Sequence, residues 1–286
     1  MPDVIAAAAR SLDSNAALAQ QASASPTFTK LKAQARRMTV DGKTLYVVEG
    51  DLLLDEIQLA EYALRKDAGD DAAVAEAPVG GQNAKLLGIS KNGKLLRWKP
   101  GLVLTYCVAK ETFTSDAEYK TVRESTRAAT EAWMATCGIE FEYKAALDTN
   151  PAGRPGKVMF PVLRYDAHGE FIAAAFFPDD PVNRRFVVID PSFFSPTLTF
   201  DRVGVLRHEL GHVLGFRHEH IRSGAPAACP GEPLFGTTPL TDYDPRSVMH
   251  YFCGGVGSAK LEITDVDRAG AQRLYGLPRS SFQFVE

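Results

Sequence analysis

The chain has 286 residues, 45% of them apolar and 23% charged, an ordinary globular composition with room for one large domain or two modest ones. Its 32 basic and 35 acidic side chains leave a formal charge of -3. With no Lys/Arg cluster, a nucleic-acid partner is excluded for want of phosphate affinity. No apolar run approaches the roughly 18 residues of a bilayer span, so a soluble chain without membrane partners is expected.

The amino terminus carries no early positive charge, and its apolar run, Val4 to Ala9, is shorter than a signal-peptide core. Up to about Pro26 the chain is Ala, Ser and Gln with little to bury, which predicts a segment that is mobile by itself. TLYVVEGD from Thr44 reads as a short strand ending at Gly50, and Asp55 can cap a helix with Ile57, Ala60 and Leu64 on one face. Lys66 to Lys85, rich in Asp, Ala and Gly, has neither helical nor strand period and reads as a linker. Asn92-Gly93 suits a hairpin turn, and GLVLTYCV after Pro100 a buried strand. Ser115 and Glu118 form a capping-box pattern before Tyr119, Val122, Thr126, Ala129 and Trp133, an amphipathic helix running up to Gly138. Short β-rich segments follow at IEFEY, KVMF, FIAAAFF and RFVVID.

Four cysteines, Cys107, Cys137, Cys229 and Cys253, contain no CxxC pair and read as two disulfides, against the alternative of four buried thiols in a cytosolic protein. Cys107 on its strand and Cys137 at the helix end are placed to staple the two, leaving Cys229 with Cys253. This is one of three connectivities.

Six histidines occur in all, yet His208, His212, His218 and His220 fall within RHELGHVLGFRHEH. Asp201 can cap a helix on which Val203, Leu206, Leu210, Val213 and Leu214 recur at helical steps. His208 and His212 are then i and i+4 neighbours that can reach one ion. Gly215 can turn the chain back, so that His218 supplies a third nitrogen. Three neutral imidazoles leave a fourth position open for water, the arrangement of a catalytic zinc ion. Glu209 is placed to take a proton from that water.

HELGHVLGFRH resembles the extended zinc signature of the metzincin metalloendopeptidases, and SVMHY from Ser247 to Tyr251 resembles their methionine turn. Glu219 after the third histidine and Tyr251 two residues after Met249 are most similar to the astacin family. The resemblance implies an α+β fold: a mixed twisted sheet with two long helices in an upper subdomain (87–218), and an irregular lower subdomain (219–286) with a C-terminal helix over LEITDVDRAGAQRLYG, Thr264 as its cap and Gly276 its stop. FIAAAFF would be the edge strand along which an extended peptide pairs, and FVVID the strand beside it. Met249 would floor the zinc, Tyr251 would be a fifth ligand that swings out to bond the oxyanion, and Glu219 would tie the region to the mature amino terminus.

Astacin-type prodomains carry a phenylalanine-x-glycine-aspartate motif whose aspartate caps zinc. Val48-Glu49-Gly50-Asp51 is similar, with valine in place of the aromatic. Residues 1–86 are therefore expected to be a propeptide and linker with Asp51 as ligand in the latent form, and 87–286 the catalytic domain, with activation cleavage between Lys66 and Lys94. His220, His250 and His168 match no ligand position and read as ordinary polar residues. The expectation is a secreted, monomeric zymogen of a Zn2+-dependent endopeptidase acting on proteins or peptides and inhibited by its own prodomain. The alternative is a zinc-containing peptide-binding protein without turnover.

Overall fold

In the computed structural model, residues 15, 17–40, 42–68, 86–91, 94–232, 234 and 236–279 are described. The Val4 to Ala9 run, residues 69–85 of the expected linker, the Asn92-Gly93 pair and most of the span expected for activation cleavage lie outside them. The chain forms two units, Met1–Ala75 with Pro233–Phe235, and Glu76–Glu232 with Gly236–Glu286.

In the first unit, residues 17–23 are helical and Ala22 is fully buried, so the segment expected to have little to bury contributes to packing. Ser25 caps helix α1 (Pro26–Gln34), which has proline at its first position, where the missing N–H is harmless. Strands β1 (Arg37–Val40), β2 (Lys43–Val48) and β3 (Leu52–Leu54) make an antiparallel sheet in that order. Val48 pairs with Leu52, so Glu49, Gly50 and Asp51 are the loop of a hairpin, with φ positive at Glu49 and Gly50. Helix α2 (Glu56–Asp67) starts in a full capping box between Asp55 and Gln58. Its buried face is Leu59, Ala60, Tyr62 and Ala63. Ile57, expected on that face, is exposed, because the Leu59, Tyr62 and Ala63 stripe offers more apolar surface to the sheet. The hydroxyl of Ser25 donates to Asp67 at 2.5 Å and ties the start of α1 to the end of α2.

In the second unit, β4 (Leu87–Lys91) lies between β5 (Lys94–Leu95) and β11 (Thr237–Pro239), antiparallel to both. The main sheet has the order β7 (Glu140–Tyr143), β6 (Val103–Val108), β8 (Phe160–Arg164), β10 (Val187–Ile189), β9 (Ala173–Ala174). All pairings are parallel except β10 with β9. The strand expected at KVMF starts only at its last residue and runs on through FPVLR, and that expected over FIAAAFF shortens to the antiparallel edge β9. Helix α3 (Asp116–Met134) is capped by Ser115, but the Glu118 carboxylate returns to the Thr114 amide and hydroxyl instead of the cap residue. Trp133, fully buried at its end, donates to the Arg207 carbonyl at 2.8 Å and stacks on Phe216. It thereby fixes α3 against α4 (Arg202–Val213). Thr264 caps the last helix, α5 (Asp265–Tyr275), in a capping box with Asp267, and Gly276 ends it. Among the described residues no helix is long and apolar enough to cross a membrane.

Cys229 and Cys253 are disulfide-bonded, whereas Cys107 and Cys137 are free and buried, so the second expected disulfide is absent. The strand period explains this. Leu104, Tyr106 and Val108 face the core cluster that holds Trp133 and Cys137. Cys107, between Tyr106 and Val108, must point to the other side of the sheet, where Arg154 and Asp148 influence its thiol. Burial pushes the Cys107 thiol up to about 11 and that of Cys137 up to about 12.

Candidate metal centre

Asp201 begins α4, its carboxylate accepting from the Gly204 amide at 2.7 Å. The helix ends in a Schellman arrangement: the Phe216 amide donates to the Gly211 carbonyl at 3.0 Å and the Gly215 amide to His212 at 2.8 Å. This needs a left-handed residue, and Gly215 has φ 89°. The reversed chain runs beside β4, with the Ile89 amide bonded to the Gly215 carbonyl and the Arg217 amide to that of Leu87, and delivers His218 back to the helix.

The side-chain donors of His208, His212 and His218 lie within 4.8 Å of one another, and all three residues are buried. Each ring has Nδ1 against an oxygen: His208 on the Val248 carbonyl at 2.7 Å, His212 on the Phe216 carbonyl at 2.8 Å, and His218 on the Glu232 carboxylate at 2.9 Å. A carbonyl or carboxylate can only accept, so Nδ1 carries the proton and, in a neutral ring, Nε2 presents a lone pair. The Nε2 atoms of His212 and His218 are 3.2 Å apart. Two lone pairs at that distance repel unless a cation lies between them. Tetrahedral zinc with N ligands at about 2.0–2.1 Å requires nitrogens about 3.3–3.4 Å apart, so the donor set fits that ion.

Glu209, next to His208 on α4, is buried. Met249 is fully buried beneath the helix: a Cβ added at Gly211 would come 2.3 Å from its sulfur, so this approach requires glycine. The turn is held by Asp267, which accepts from the Ser247 hydroxyl at 2.5 Å and the Val248 amide at 2.9 Å. The Tyr251 ring centroid lies 4.4 Å from that of His218 and 4.3 Å from that of His220. Glu219, fully buried, accepts from Arg222 at 2.8 Å and from the Asp244 amide at 3.1 Å. Burial raises its carboxyl to about 8 against the opposing pull of Arg222. Asp51 belongs to the first unit, as the last loop residue of the β2–β3 hairpin.

Two residues absent from the sequence reading matter here, Asp267 and Glu232. Asp267 was signalled by its place three residues after the helix-cap Thr264. Glu232 had no signal beyond being an acidic residue in a Gly/Pro-rich stretch. His220, read as an ordinary polar residue, is buried, and its Nε2 lies 3.0 Å from Glu232. His250 bonds the Tyr243 hydroxyl at 2.8 Å, and His168 is exposed beside Asp166. At the edge of the main sheet, Phe177, just beyond β9, packs edge-on against the His212 ring at 5.4 Å.

No protein-family model and no curated protein matches the chain. Among solved structures it is similar to two of myroilysin: one at 17% identity and TM-score 0.44, covering 64% of this chain and 96% of that one, the other at 18% and 0.41, covering 64% and 86%. It is also similar to high choriolytic enzyme 1, a hatching-enzyme zinc protease of the medaka fish Oryzias latipes, at 18% identity and TM-score 0.38, covering 63% of this chain and 94% of that one.

Proposed function

We propose that the chain is a zinc-dependent endopeptidase of the astacin-like metzincin type, secreted as a latent zymogen. The observation that carries the reading is the convergence of three imidazoles, each with Nδ1 capped by an oxygen, on a helix that also bears Glu209. His208, His212 and His218 would hold the ion, with Tyr251 as a further resting ligand. Bound zinc would polarise the scissile carbonyl and lower the pKa of water towards about 7. Glu209 takes a proton from the attacking water and returns it to the leaving amine. The Tyr251 hydroxyl donates to the oxyanion as charge develops. An extended peptide substrate adds a strand beside β9, whose antiparallel edge position supports this.

Residues 1–86 act as the inhibitory propeptide and 87–286 as the catalytic domain. Asp51 is the latent-state ligand, a carboxylate that excludes the nucleophilic water. The Cys229–Cys253 bond supports export to an oxidising compartment.

The test is metal content of the purified chain together with casein cleavage before and after limited trypsin. One zinc per chain, removed by His212→Ala, with activity only after nicking, is expected. Zinc with no activity once residues before about Leu87 are removed would replace the enzyme by a non-catalytic peptide binder.

A further inference from the structure

We propose that Glu232 is a positioning residue of the metal centre: its carboxylate locks His218 in the Nδ1–H tautomer and aims Nε2 at the ion. The inference rests on the zinc reading above.

The geometry carries it. His218 Nδ1 lies 3.0 Å from one Glu232 oxygen and 2.9 Å from the other, so the carboxylate fork takes the N–H between its two arms. His208 and His212 have neutral carbonyls in the same position. At Nδ1, His218 thus meets a full negative charge where the other two rings meet carbonyls, which raises its strength as a donor and resists ring rotation. Glu232 is itself held in place. His220 Nε2 lies 3.0 Å from one oxygen and Arg217 Nη2 lies 3.8 Å from the other. The His220 ring stacks on Tyr251 at 4.3 Å with 17° between planes, and Tyr251 in turn lies against His218. One carboxylate therefore orders two rings on which Tyr251 rests.

Its segment has no regular structure, and is anchored three residues earlier by Cys229, bonded to Cys253 just beyond Tyr251. The competing account is that Glu232 only satisfies buried His220, a structural role that would move stability and leave the metal alone.

The test compares the full-length wild type with Glu232→Gln, which keeps size and removes charge. Zinc affinity is read by competition with a chromophoric chelator, and ligand geometry from the visible spectrum after cobalt(II) substitution. Glu232→Gln should bind zinc about 10- to 100-fold more weakly and shift the cobalt bands. Unchanged affinity and spectrum, even with a lowered Tm of the metal-free chain, would overturn the proposal. So would two zinc ions per wild-type chain with the second lost in Glu232→Gln, since Glu232 would then be a ligand.

Should the variant fail to fold, wild-type zinc protein with 15N-labelled histidine decides. A His218 Nδ1 proton protected from exchange supports the assignment, and a His218 ring protonated at Nε2 defeats it. A wild type without one zinc removable by His212→Ala would instead refute the zinc reading itself, a result these measurements keep separate.

Discussion

Asp267 is the point at which the last helix grips the methionine turn, and its removal has a calculable cost. The carboxylate is buried and accepts from the Ser247 hydroxyl at 2.5 Å, the Val248 amide at 2.9 Å and the Thr264 amide at 3.0 Å. Asp267→Ala strands these donors. At roughly 1–3 kcal/mol per unsatisfied buried group, and with the Ser247 hydroxyl free to rotate and Thr264 only part-buried, the loss should be about 3–4 kcal/mol. Asp267→Asn keeps the shape and an oxygen, so charge-assisted bonds of roughly 1.5–3 kcal/mol fall to neutral ones of 0.5–1.5. Burial already raises the pKa of this carboxyl, so relief of the desolvation penalty returns part of that difference, and the net cost should be about 1–2 kcal/mol. Trp98 and Trp133 both lie in the second unit, so urea unfolding followed by tryptophan fluorescence reports on it directly. Because the Val248 carbonyl receives His208, both variants should also weaken zinc binding, Ala more than Asn. A loss below about 1 kcal/mol for Asp267→Ala, with zinc affinity unchanged, would refute the argument that this carboxylate organises the turn.

Glu209→Gln should retain one zinc while casein cleavage falls about 10²- to 10⁴-fold, the usual contribution of a general base; an active variant would remove Glu209 from that role. Asp51→Ala should give a precursor with activity before any nicking, and an equally silent precursor would count against latency through this carboxylate. Unfolded chain without reductant should titrate two thiols, Cys107 and Cys137, and zero or four would contradict the pairing. Those thiols have folded-state pKa values raised to about 11 and about 12, so they favour the native state below the ordinary thiol pKa near 9. That contribution should fade as pH rises from about 9 through about 11–12 in urea titrations. Replacing Cys229 and Cys253 by serine should lower zinc affinity, and by less in a Glu232→Gln background than in wild type, since both changes act through the same loop. Additive losses would separate the disulfide from Glu232.

The metal helix was legible because its signal is local. A capping aspartate, an i, i+4 histidine pair, a glycine where the helix must stop and a third histidine just beyond it are spacings along one segment. The start of α3 and both ends of α5 were legible for the same reason, whereas α3 stops at Met134, short of the expected Gly138. The Cys229–Cys253 pairing held, but the Cys107–Cys137 pairing failed although the signal was present: Leu104, Tyr106 and Val108 mark the core face of β6, and Cys107 falls out of phase with them. Glu232 was not legible. Its separation from His218 is 14 residues, and the stretch between has no period from which a contact could be inferred.

On the proposed zinc reading, the rings of His208, His212 and His218 show how the helical and irregular parts of the second unit divide the work. Helix α4 and its Schellman turn supply the ligands and also aim one of them, since the carbonyl that receives His212 belongs to Phe216 in that turn. The other two are aimed from the irregular half: His208 by the Val248 carbonyl, which Asp267 holds through the adjoining amide, and His218 by Glu232. A proposed ligand set encoded in one short helix and the turn after it thus has two of its three tautomers fixed by distant segments. Those segments are held by a buried carboxylate at one point and a disulfide at another, so on this reading residues that never touch the ion should set its affinity alongside the three proposed to hold it.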